Sequence, residues 1–109
     1  EYYRVSDMHN YDELIRAVGY FTYKHGKMDR IDSQNEYWLE TEARLRTDFN
    51  ISGIKLDSIY KIKRKSEMKR IFEQAGLKPA RGRVCHDETD LGDFIDEVGL
   101  PVVAKPDIG

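Results

Sequence analysis

The sequence predicts an α/β fold, and three patterns carry that prediction. Apolar residues recur at helical spacing in several stretches, short strand-like runs lie between them, and glycines stand where helices should stop. The second half reads helix, strand, helix, strand, a layered pattern and not a helical bundle. No internal repeat or low-complexity segment interrupts the order.

Taken from the start, Tyr2, Tyr3 and Val5 suggest a short strand over residues 1 to 6. Asn10 and Glu13 have the spacing of a capping box, in which each side chain satisfies a backbone N–H of the other. Leu14, Val18 and Phe21, with Ile15 beside them, predict a helix from Tyr11 to His25, stopped by Gly26. Met28 and Ile31 read as a second short strand. Ser33 and Glu36 repeat the capping-box spacing, and Trp38, Ala43, Leu45 and Phe49 line one face of a helix that Asn50 and Gly53 end. Residues 54 to 65 form a connector. Met68, Ile71, Phe72 and Ala75 then fall at i, i+3, i+4 and i+7, with Gly76 placed for a left-handed cap. Pro79 blocks continuation, Ala80 to His86 reads as a strand, and Leu91, Phe94, Ile95 and Val98 mark a fourth helix ending at Gly99. Pro101 to Pro106 reads as a buried strand.

Bulk properties narrow the function classes. The 109 residues can build one small domain with a single core. The formal net charge of −2 creates no global field that demands a nucleic acid or a membrane. Cys85 is the only cysteine, which rules out an internal disulfide and fits a reducing, cytoplasmic setting. No apolar run approaches the ~20 residues that span a bilayer, and no signal peptide is legible. Because the chain starts at Glu1 and stops after a strand-like run at Asp107-Ile108-Gly109, it is expected to be a piece of a longer polypeptide.

Several chemistries can be set aside. His9, His25 and His86 are scattered without zinc-ligand spacing, and no metal site is read. Cys85 beside His86 is taken as a buried thiol next to a surface imidazole, because neighbours on a strand face opposite ways. Nucleophile-elbow, Walker A and dinucleotide-binding motifs are absent, and no catalytic residue is assigned. Trp38 and Phe49 are expected in the core, and the N-terminal tyrosines either mark a contact surface or are ordinary half-buried residues. The acidic fourth helix is expected to be solvated.

The basic cluster Lys61, Lys63, Arg64, Lys65, Lys69 and Arg70 has three readings. One is a solvated helix face. Another is a face that binds nucleic acid or an acidic partner, which the scarcity of interleaved aromatics disfavours for nucleic acid. A third is a phosphate site, since Lys65 opens a helix and Lys105 closes a strand, and ammonium groups suit polyphosphate as point charges.

The run from Lys65-Ser66-Glu67-Met68-Lys69 to Ala75-Gly76 and on to Gly82, followed by Gly99-Leu100-Pro101-Val102-Val103-Ala104-Lys105-Pro106, resembles the start of an ATP-grasp domain. That superfamily includes carboxylate–amine ligases, carbamoyl-phosphate synthase large chains and biotin carboxylases. Asp29 to Glu36, with the helix to Phe49 and Gly53, resembles the segment that leads into such domains. The resemblance implies a lead-in α/β region over residues 1–60 and the first, truncated subdomain of an ATP-grasp fold over residues 61–109. It also implies that Lys65 and Lys105 contact the phosphates of ATP. The family shows Asp or Asn before the first lysine where this chain has Arg64, so that role falls to Lys65 or Lys63. Residues 107 to 109 would enter a glycine-rich loop over the phosphates.

The implied activity is that of an ATP- and Mg²⁺-dependent ligase. It would activate a small carboxylate as an acyl phosphate for attack by an amine or another nucleophile. Phosphoryl transfer of this kind depends on positioning and charge neutralisation. The Mg²⁺ ligands and substrate pocket would lie beyond Gly109, leaving this stretch alone inactive. Oligomeric state stays open, a homo-oligomer included. The rival from another class is a small non-enzymatic module that binds through the Lys61–Arg70 face.

Overall fold

Helix α1 spans Tyr11–His25 in a computed structural model that describes every residue from Glu1 to Gly109. Its start differs from the expected capping box. The Asn10 amide donates to Glu13 Oε1 at 3.3 Å, while the other Glu13 oxygen accepts the Ser6 N–H at 2.7 Å. Asn10 N–H bonds instead to the Asp7 carbonyl at 3.1 Å. Gly26 closes the helix. A 3-10 turn over Glu36–Trp38 leads into α2, Leu39–Asp48, and its cap is Asn35, whose side chain accepts the Tyr37 N–H at 2.9 Å. Ser33, expected to cap here, directs its hydroxyl to the Asn35 carbonyl. The end of α2 is a Schellman arrangement. Asn50 takes a left-handed φ of 49°, Ile51 N–H reaches the Arg46 carbonyl at 2.9 Å, and Asn50 N–H reaches Thr47 at 3.3 Å.

Residues Glu1–Ile59 make one compact unit and Tyr60–Gly109 a second. The core of the first is Leu14 and Val18 from α1, Leu45 from α2, and Ile51, with Val5, Tyr11, Ile15, Met28, Ile31 and Phe49 packed around them. Ala43 and Ile59 are also buried, whereas Trp38 is only half-buried. The sequence reading missed the polar part of this interior. Glu42 and Arg46 are each 6% exposed and pair at 2.8 Å, one turn apart on α2. Arg46 also donates to the carbonyls of Ile31 and Ile54 and to Asp32 Oδ1, and Glu42 accepts the Ser33 N–H. Gly53 lets the chain pass this guanidinium. Its φ is +123°, and a Cβ there would lie 3.0 Å from Arg46 Cδ and Nε.

The second unit holds α3 (Tyr60–Lys63), α4 (Lys65–Gln74) and α5 (Glu88–Val98). Gly76 ends α4 as the sequence predicts, at φ 79°, with Leu77 N–H on the Phe72 carbonyl at 2.9 Å. Asp87 caps α5 by accepting the Asp90 N–H at 2.9 Å, and Asp90 in turn accepts the His86 N–H at 2.9 Å. No residue of this unit is buried. Met68, Ile71, Phe94, Ile95 and Val98 are half-covered, and Phe72 and Leu91 are exposed.

The α/β expectation is corrected in one respect, because the chain forms helices and no strand. β-Branched runs favour an extended chain, but a strand is stabilised by cross-strand partners. Each of the expected strands lacks one. The Ile31 carbonyl and Ser33 N–H are taken by Arg46 and Glu42. Residues 80–86 are held by side chains, with Ala80 accepting from Lys69 and Arg81 and Arg83 both pairing with Glu97. Residues 100–106 form neither helix nor strand, with Val103 83% exposed and nothing laddering onto them.

Candidate functional site

Helix α4 begins with a local deficit. Arg64, the residue before it, is extended and gives no side-chain cap, so the first N–H groups need another acceptor. Asp107 supplies it from forty-one positions downstream. Its carboxylate accepts the Ser66 N–H at 2.8 Å and the Ser66 hydroxyl at 3.0 Å, and its carbonyl accepts the Lys65 N–H at 3.0 Å. The Lys65 ammonium then donates to the Gly109 carbonyl at 2.6 Å, and Arg64 Nη1 stands 3.7 Å from the carboxylate. Hydrogen bonding from the Ser66 backbone holds the Asp107 carboxyl below its ordinary value of 3.8. The Ser66 hydroxyl and the charges of Arg64 and Lys65 add to this, against partial desolvation.

Of the two lysines singled out by the sequence, Lys65 is therefore the first residue of α4 and half-buried. Lys105 is exposed and makes no hydrogen bond or ion pair. It lies two residues before Asp107, so its Cα is within about 7 Å of the cap. The structure thus gathers the segments that carry both lysines at one end of α4, with Lys63 in the short helix just before.

The remainder of the basic cluster is largely committed within the chain. Arg64 lies over the Tyr60 ring, Lys69 donates to the Ala80 carbonyl, and Arg70 pairs with Glu67 at 2.7 Å. The acidic helix is solvated as expected, with Asp87, Glu88, Asp93, Asp96 and Glu97 exposed, while Asp87 and Asp90 also form caps and Glu97 binds two arginines. Cys85 is half-buried, not buried, with its thiol directed at the Arg83 carbonyl. His9 packs against Tyr37 and Trp38, and His25 contacts Glu1 at 2.7 Å.

The first unit has an open apolar hollow of about 280 Å³ lined by residues such as Phe21, Met28, Trp38 and Leu45. The carboxylates at its wall, Asp32 and Glu42, are bound to Arg46. No group of three or more His, Cys, Asp or Glu is arranged to hold a metal ion. No helix is long and apolar enough to cross a membrane.

Asp107 was not singled out as a cap by the sequence, and no local pattern could have revealed it. The one available signal was the mismatch at Arg64, a helix start without a capping residue.

No family model and no solved structure matches the chain. Among curated proteins it is similar to a carbamoyl phosphate synthase large chain of Corynebacterium glutamicum, 27% identical over 100 residues, covering 90% of this chain and 8% of that protein. An alanine–anticapsin ligase of Bacillus subtilis is 22% identical over 95 residues, covering 87% of this chain and 19% of the ligase. A carbamoyl phosphate synthase large chain of Thermotoga neapolitana is 34% identical over 61 residues, 56% of this chain and 6% of the relative. The chain spans less than a fifth of the length of each.

Proposed function

We propose that these residues are the opening portion of an ATP-grasp ligase, in which Lys65 and Lys105 bind the phosphates of ATP. Residues 1–60 act as the lead-in region and residues 61–109 as the start of the ATP-grasp domain. Such an enzyme uses ATP and Mg²⁺ to activate a small carboxylate by phosphorylation for attack by an amine or other nucleophile. The observation that carries this reading is the order and spacing of the Lys65 helix and the Gly99-to-Pro106 run, in a chain distantly similar to ligases.

The geometry supports it. Lys65 lies on the first turn of a ten-residue helix, whose dipole favours anions. Lys105 contributes a second cation with no competing partner. Bound ATP would supply the phosphoryl group. The side chains named here would orient its phosphates and offset their charge. A basic-face binding module is less well supported, because Arg64, Lys69 and Arg70 are engaged inside the chain.

The test is ATP binding by calorimetry on the polypeptide that carries these 109 residues, native and as Lys65→Ala and Lys105→Ala. Each substitution is expected to weaken binding by about tenfold or more, the scale of one charge-assisted contact. Unchanged affinity in both variants would remove the lysines from the phosphate site. Absence of binding by the native protein would end the ligase reading.

A further inference from the structure

We infer that Asp107 is a positioning residue, a strap that holds the Lys105–Gly109 segment on the N-terminus of α4 and so fixes the two lysines together. The use of this arrangement in binding rests on the phosphate reading above. The strap itself rests only on geometry.

Three contacts made by one residue define it. The carboxylate accepts both Ser66 donors, at 2.8 and 3.0 Å, and the carbonyl accepts the Lys65 N–H at 3.0 Å. Nothing nearer in sequence can replace them, since Arg64 offers no acceptor side chain and its own charge faces the same carboxylate at 3.7 Å. The segment from Pro101 has no ladder hydrogen bonds, so its far end is fixed to α4 by Asp107 and by the Lys65–Gly109 contact. A chain with so few attachments otherwise samples many conformations, each placing Lys105 differently. Removing the strap spreads the lysine over those conformations, and binding that needs both cations weakens in proportion to the population lost.

Four proteins separate the outcomes: native, Asp107→Ala, Asp107→Asn and Ser66→Ala. Amide hydrogen exchange at Lys65 and Ser66 is read first, without nucleotide. Asp107→Ala is expected to accelerate exchange at Lys65 and Ser66 by about tenfold or more, the scale of losing one hydrogen bond to a charged group. Asp107→Asn keeps an acceptor and should restore most of the protection. Ser66→Ala removes only the hydroxyl contact and should have the smaller effect.

ATP affinity is read second. In Asp107→Ala it should fall several-fold, although Asp107 carries a negative charge whose removal would by charge alone strengthen anion binding. Unchanged exchange at Lys65 and Ser66 overturns the strap. Lost protection with equal or tighter ATP binding overturns the positioning role while leaving the phosphate reading intact. If the native protein binds no ATP, that reading falls, and exchange with its asparagine rescue alone decides whether the strap stands.

Discussion

The two units of this chain solve the problem of burial differently. Glu1–Ile59 closes an interior in which Leu14, Val18, Leu45 and Ile51 are each at most 7% exposed, and it adds a buried Glu42–Arg46 pair. Tyr60–Gly109 has helices with equally clear apolar faces and buries no residue at all. The contrast teaches that helical periodicity specifies a face, whereas a core requires something to cover it. Cohesion in the second unit rests on caps and side-chain ties, with Asp107 on α4, Asp87 and Asp90 on α5, and Glu97 on Arg81 and Arg83.

The largest effect should come from Arg46→Ala. It strands Glu42 as an uncompensated buried carboxylate and frees the Ile31 and Ile54 carbonyls, at a cost of about 3–5 kcal/mol. Trp38, the only tryptophan, belongs to this unit and reports its urea transition. A shift under about 1 kcal/mol would mean the pair is dispensable to the core.

Matched truncations sharpen the contrast next. Leu45→Ala, at 5% exposure, should lower stability by about 2–5 kcal/mol. Ile71→Ala on α4 removes a half-covered side chain and should cost about 1 kcal/mol. Equal effects from the two would show that the second unit buries its face as fully as the first.

The smallest effect concerns pH. Because the folded state holds the Asp107 carboxyl below its ordinary value, its contribution is present above about pH 4. It is lost as pH falls through the lowered value. Arg64 and Lys65 are the charged groups facing it. Ser66 amide protection should fall in that acid window in the native chain and be flat there in Asp107→Asn. A flat native profile would remove the carboxylate from the cap.

What the sequence revealed follows from how local each determinant is. The extent of α1, the end of α5 at Gly99 and the stop at Gly76 were legible, since apolar spacing and glycine caps act within a few residues. Arg46 was not, because a charged residue at helical spacing reads as a solvated face until the Ile31 loop is known to lie across it. The expected strands failed for the complementary reason, since an extended run does not encode its partner. Asp107 combines both difficulties, being a cap supplied across forty-one positions. For Lys65 and Lys105 the motif named the residues, and the strap explains how their segments meet.

The most direct measurement is carboxylate-dependent ADP release by the polypeptide carrying this chain, with Mg²⁺, in native, Lys65→Ala and Lys105→Ala forms. ADP release that requires a carboxylate and falls by about tenfold or more in each variant is the expected result. Native-level ADP release in both variants would contradict the assignment of these two lysines to the phosphates.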